Sequence, residues 1–211
     1  MNRSIMLALV VIVLVALPTW AGQIANPGFE QPQEPKTNGG VGPYLWFGNS
    51  FDFVGAENGV VPIEGVQMVH YLTNVATSNL RQVIELGGFA GGQVTLSADV
   101  YHTAASAGNS RFSLRLAYIN TPAPFGNDEF DNNVFVETSH IVPVDVWTNI
   151  SLSAEVPPGT SFLGVEVSYL SGGPLTGYAD NVQLAGVPEP SSFVLAALGL
   201  TGLVVGRRRK R

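Results

Sequence analysis

Between residues 22 and 186 apolar side chains recur at every second position, and that period admits strands and excludes amphipathic helices. Val94, Leu96, Ala98 and Val100 fall on one side of their segment, with Thr95, Ser97, Asp99 and Tyr101 on the other. Phe112, Leu114, Leu116 and Tyr118 repeat the scheme opposite Arg111, Ser113 and Arg115. Segments 44–54, 66–72, 80–86, 134–142, 147–156, 162–169 and 178–184 carry the same alternation, and Gly, Pro and Asn punctuate the gaps. About ten short strands predict an all-β chain of two packed antiparallel sheets. Residues 87–92, Gly-Gly-Phe-Ala-Gly-Gly, read as a hairpin loop, because no Lys and no helical pattern follow to make a phosphate cradle. Without a single cysteine, the core has to hold by packing alone.

The two ends obey different physics. Arg3, an apolar run over residues 5–17 and a break at Pro18 make residues 1–21 a signal peptide, so the mature chain is expected to begin near Gly22. At the other end, residues 187–211 hold three parts in fixed order: Pro188-Glu189-Pro190, an uncharged, mostly apolar run over 191–206, and the basic stop Arg207, Arg208, Arg209, Lys210 and Arg211. The prolines stiffen the chain at the domain's end, and the cations hold their flank of a transmembrane helix on the cytoplasmic side. As a helix, the stretch from Pro190 to Gly206 spans about 25 Å, a little short of the ~30 Å hydrocarbon core. This order resembles the PEP-CTERM sorting signal. The resemblance implies an exosortase that recognises Pro188, Glu189 and Pro190, cuts near them, and releases a precursor from the inner membrane to the cell surface or extracellular matrix. It also implies a Gram-negative bacterium that makes exopolysaccharide.

Residues 22–186 form one domain, and its charge narrows the possible partners. It holds 15 acidic residues against Lys36, Arg81, Arg111 and Arg115, a formal charge of −11, which repels nucleic acid. Nothing in it spells catalysis. Asp99, Glu137 and Glu166 are the carboxylates available for paired-acid hydrolysis, but no spacing juxtaposes them, and no G-x-S-x-G elbow occurs. His70, His102 and His140 stand apart without zinc-ligand spacing. Acidic residues 127–133 lack the glycine and the distant Glu of an EF-hand. For sugar binding, which needs aromatic platforms beside hydrogen-bonding groups, Trp46 and Arg115 are the leading candidates, with Tyr44, Tyr101, His102 and Arg111 behind them.

The domain's landmarks carry a second resemblance. Ile24-Ala25-Asn26-Pro27-Gly28-Phe29-Glu30 opens it, Tyr178-Ala179-Asp180-Asn181-Val182-Gln183-Leu184 closes it, and Leu80-Arg81-Gln82-Val83-Ile84 leads through glycines into Thr95-Leu96-Ser97-Ala98. Together they resemble the jelly-roll carbohydrate-binding modules of the galactose-binding-like superfold. The resemblance implies a jelly-roll sandwich and one structural calcium ion held between the first and last strands by Glu30 and Asp180, with Asn26 or Asn181 adding oxygens. The expected function is that of a non-catalytic surface or matrix protein associated with exopolysaccharide. The alternative is a polysaccharide-active enzyme with an unrecognised carboxylate site.

Overall fold

The alternating segments become strands whose apolar sides meet across one core. The computed structural model describes residues 24–30, 46–72, 77–86, 89–103, 110–120, 133–170 and 176–187, all within the compact unit Gln23–Val187. The strands are β1 (Phe47–Asn49), β2 (Phe51–Val54), β3 (Met68–Tyr71), β4 (Thr77–Glu85), β5 (Gly92–His102), β6 (Arg111–Ile119), β7 (Val134–His140), β8 (Thr148–Val156), β9 (Phe162–Leu170) and β10 (Gly177–Ala185). Sheet A has the order β1-β4-β9-β6-β7, sheet B the order β2-β3-β10-β5-β8, and every pairing is antiparallel. This is the expected jelly-roll sandwich, and no helix occurs among the described residues. The leader of residues 1–21, the Pro188-Glu189-Pro190 motif, the apolar run, the basic stop Arg207 to Arg211 and acidic residues 127–132 lie outside the described residues.

Sheet A contributes Leu80, Phe112, Leu114, Leu116, Leu163, Val165, Val167 and Tyr169 to the core. Sheet B answers with Val69, Tyr71, Val94, Leu96, Ala98, Val100, Ile150, Leu152 and Val156. Two expected segments differ in detail. Residues 44–54 read as one strand but supply two, β1 in sheet A and β2 in sheet B, because Ser50 takes a left-handed φ of 58° and turns the chain across the sandwich edge. Residues 178–184 contain a register shift between Asp180 and Gln183, with Asn181 at φ 48°, so β10 bulges at Asn181 and Val182, just after the Asp180–Asp99 pair.

One side chain ties the layers directly. Tyr71 is fully buried on β3, and its hydroxyl donates to the Val167 carbonyl on β9 at 2.9 Å. Its ring sits 6.2 Å from Phe112 and 6.0 Å from Tyr169, whose own rings are 4.8 Å apart. Burial pushes the phenol well above its ordinary pKa, and the negative charge of Glu166 adds to the shift. Tyr71→Phe keeps the packing and removes only the bond, so a loss of about 1–2 kcal/mol is expected. In a domain of this size that lowers the melting midpoint by about 3–6 °C. Thermal unfolding checks it, and an unchanged midpoint would show that the bond adds nothing.

Candidate functional site

The outer face of sheet A is built from residues that alternate with the core positions. Antiparallel register pairs Phe47 with Arg81, Arg81 with Glu166, Glu166 with Arg115, and Arg115 with Glu137. Five strands thus each place one residue on a single line, roughly 19 Å long at ordinary strand spacing. Two residues along, Val83, Gly164, Ala117 and Phe135 form an apolar line. Ala117 and Ile119 cluster there with Phe47, Val83 and Phe162. On the other flank Asn49, Asn79, Ser168, Ser113 and Ser139 form a line of amides and hydroxyls. Ser113 and Ser139 share a hydroxyl bond of 2.6 Å.

The charged line is tightly bonded. Arg81 Nε donates to Glu166 Oε2 at 2.7 Å, and Arg115 reaches the same oxygen at 3.7 Å through Nη1 and Glu137 Oε2 at 3.1 Å through Nη2. The Arg115 guanidinium lies 4.2 Å from the centre of the Phe135 ring. Arg81 and Glu166 are each only 3% exposed, although they stand on the outer side of their sheet. On β8, by contrast, every outward residue from Asn149 to Glu155 is exposed. Charges removed from water have to be paired, and here opposite signs alternate along the line. The result is a rigid strip of donors and acceptors between an apolar band and a hydroxyl band; Arg81, Glu166, Ala117, Ser113 and Ser168 are buried within it, and its β7 side, with Phe135, Glu137, Ser139 and the partly exposed Arg115, offers a ligand both an aromatic face and polar groups.

Not every expected residue reaches this face. Trp46 is 3% exposed; it packs 5.5 Å from the Phe29 ring and donates Nε1–H to the Asn26 carbonyl at 3.1 Å. The stacking role expected of it is therefore corrected: it is a core residue that supports the first turn. Its neighbour Phe47 is the one that stands in line with Arg81. Sequence reasoning picked the larger ring and missed that strand parity assigns the outer face to the adjacent position. Arg115 does lie on the face. Of the carboxylates considered for hydrolysis, Glu137 and Glu166 are bound to Arg115, while Asp99 belongs to sheet B and accepts bonds from Asn149 and Asn181, both at 2.9 Å. They do not flank one cleft.

Glu30 and Asp180 converge on one segment, residues 55–67, which folds over the outer face of sheet B. Asn58 and Gly59, at φ 50° and 80°, make its tight turn and bring Val60 onto Met68 and Tyr178. Asp180 Oδ2 then accepts the amides of Ile63 and Glu64 at 2.8 and 3.1 Å, and Glu30 Oε1 those of Val66 and Gln67 at 2.8 and 2.9 Å. Gly65, at φ 64°, has to be glycine, since a Cβ there would overlap the Glu30 carboxylate. Asp180 is fully buried, which raises its pKa; the amides of Glu64, Asn181 and Ile63 oppose the shift, and the Glu30 charge adds to it. His70 Nδ1 lies 2.8 Å from Glu57 Oε1, and His102 Nε2 lies 2.8 Å from the Val142 carbonyl. No group of three His, Cys, Asp or Glu residues arranged to hold a metal occurs among the described residues.

Comparison with known proteins adds to this geometry at the chain's end and in its fold. Residues 186–210 match the PEP-CTERM protein-sorting motif. Such a motif implies export and a C-terminal membrane anchor before processing. No curated protein matches the chain. Among solved structures, the fold is shared with a candidate sugar-binding protein of Bacteroides thetaiotaomicron VPI-5482 at 10% identity, covering 76% of this chain and 97% of that one, with a TM-score of 0.53. Looser likenesses are the module TmCBM61, solved with β-1,4-galactotriose (18% identity, 75% and 94% covered, TM-score 0.47), and the C-terminal family 22 carbohydrate-binding module of Clostridium thermocellum Xyn10B (13%, 72% and 89%, TM-score 0.47).

The charged line makes a mutational prediction. Glu166→Gln leaves two guanidinium groups without their shared carboxylate, and breaking a buried pair costs about 3–5 kcal/mol. The midpoint is expected to fall by about 10 °C. Arg81→Met combined with Glu166→Leu, which removes both charges, is expected to recover most of that loss. Equal loss in the single and double variants, read by thermal unfolding, would contradict the assignment.

Proposed function

We propose that this chain is an exported, non-catalytic surface or matrix protein that binds exopolysaccharide on the outer face of sheet A. The observation that carries the reading is the banding of that face, with apolar, ionic and hydroxyl lines side by side on the strands of one sheet. A pyranose polymer has the complementary pattern: CH faces for Phe47 and Phe135, hydroxyls for Arg115, Glu137 and Ser139. The fold shared with a candidate sugar-binding protein supports the reading. Delivery follows from the sorting motif, with an exosortase cutting near Pro188-Glu189-Pro190 after the apolar run has held the precursor in the inner membrane.

Affinity electrophoresis in gels containing the producing cell's exopolysaccharide tests the reading. The protein is expected to be retarded without releasing reducing sugar, and Arg115→Ala to weaken the retardation about tenfold, equivalent to ~1.4 kcal/mol. Equal mobility with and without the polymer would contradict it.

Calcium belongs to the same proposal. Glu30 and Asp180 are two carboxylates drawn to one loop; Glu30 Oε2 takes no bond from that loop, and Asp180 Oδ1 accepts the Asn181 amide at 2.7 Å. A raised carboxyl pKa means that the folded state keeps a proton the unfolded chain gives up, so stability falls as pH rises through the shifted value. Above it a cation would take the proton's place, with Asn26 or Asn181 and backbone carbonyls completing a calcium shell of six to eight oxygens. At a hundred times the dissociation constant the ion would add about 2.7 kcal/mol. Millimolar calcium is therefore expected to raise the midpoint by about 5–10 °C over chelator, and Asp180→Ala to abolish the difference. A wild-type midpoint that chelator leaves in place would remove calcium from the account.

A further inference from the structure

The outer face of sheet B carries a line of rings that the sheet A reading does not use. Register aligns Asp52, His70, Tyr178 and Tyr101 across four strands, and Trp147 follows immediately before β8. The rings touch in sequence: His70 on Tyr178 at 5.0 Å, Tyr178 with Tyr101 at 6.1 Å, Tyr101 with Trp147 at 5.5 Å. His70 and Tyr178 lie against the segment 55–67 through Glu57 and Asn58, whereas Tyr101 and Trp147 are at its margin, half-buried. Trp147 donates Nε1–H to the Val61 carbonyl at 3.0 Å, which fixes the indole, and Val61 and Val146 beside it are 63% and 52% exposed. The Tyr101 hydroxyl points to Asp145 at 3.4 Å. Beyond Asp99 and Asn149, which come next on this face, a strip of Ser97, Ser151, Thr95 and Ser153 runs along β5 and β8.

Charge is divided between the two faces. The three described arginines, Arg81, Arg111 and Arg115, all lie on the outer side of sheet A, together with Glu85, Glu137 and Glu166. The remaining described carboxylates, Asp52, Glu57 and Asp145 beside the rings among them, belong to sheet B or to segments packed on it, with no described Lys or Arg there. An occupant of this face has to be cationic, offer apolar CH surface to an indole, and present hydroxyls to the serine and threonine strip.

We propose that the outer face of sheet B is a second binding surface, for a glycan built of cationic amino sugars. Tyr101 and Trp147 take the pyranose rings, and Asp145 faces their ammonium groups. A basic peptide would satisfy the charge but would present fewer hydroxyls to the strip of Ser97, Ser151, Thr95 and Ser153. The surface is independent of the sheet A site.

Isothermal titration of the full-length protein in detergent tests it, with a glucosamine hexamer and its fully N-acetylated counterpart as probes. The hexamer is expected to bind at least tenfold more tightly than the acetylated form. Trp147→Ala is expected to abolish binding. Asp145→Asn, at an exposed position, is expected to weaken it about tenfold with an unchanged melting midpoint, and Arg115→Ala to leave it alone. Equal affinity for the two hexamers, or full binding by Asp145→Asn, would overturn the proposal. Loss in Arg115→Ala would place the ligand on sheet A instead, and a lysine hexamer that bound as tightly as the sugar would make the face a basic-protein surface.

Discussion

A guanidinium and a carboxylate 2.7 Å apart, both almost wholly removed from water, occupy the centre of sheet A on the side facing away from the core. Charges in such a place are tolerable only when each is answered, and Arg115 and Glu137 extend the answer outward to the edge strand β7. Register does the rest. Because β4, β9, β6 and β7 pair in antiparallel alignment, one choice of facing residues at Arg81 and Glu166 fixes which side chains form the apolar line and which the hydroxyl line. The candidate binding face is thus a consequence of strand pairing, and its precision is that of a sheet rather than of a loop.

Sheet B is organised by different means. Its outer face is partly roofed by residues 55–67, and the roof is held by two carboxylates that come from opposite ends of the domain, Glu30 and Asp180. Carboxylate oxygens bonded to backbone amides satisfy donors that an irregular segment would otherwise leave open. Several left-handed residues serve this junction: Asn26 and Phe29 in the first turn, Asn181 at the bulge and Gly65 in the roof.

Much of this was legible in the residues. Two-residue alternation gave the strands of the core, since Leu96 and Leu152 or Leu114 and Val167 can only be buried together if their segments pair and face inward. The Phe29-Glu30 and Asp180-Asn181 landmarks pointed to two carboxylates that do meet at one loop. What could not be read was parity at a corner. Trp46 and Phe47 are adjacent, and which of them faces out depends on Ser50 turning the chain between sheets, a conformation that serine does not announce. Nor does composition reveal that Arg81 and Glu166, 85 residues apart, lie side by side; that pairing exists only in the register of β4 with β9.

The most direct test follows the arginine side chains themselves. In proton–nitrogen spectra of labelled protein, the Nε–H groups of Arg81 and Arg115 report on the ionic line, and the amides of Ser113, Ser139 and Glu137 report on its flanks. Saturating exopolysaccharide fragments are expected to move the Arg115, Ser139 and Glu137 signals most and to leave the buried Tyr71 and Val167 amides in place. If the polymer binds while every signal of that line stays where it was, the outer face of sheet A is not the site.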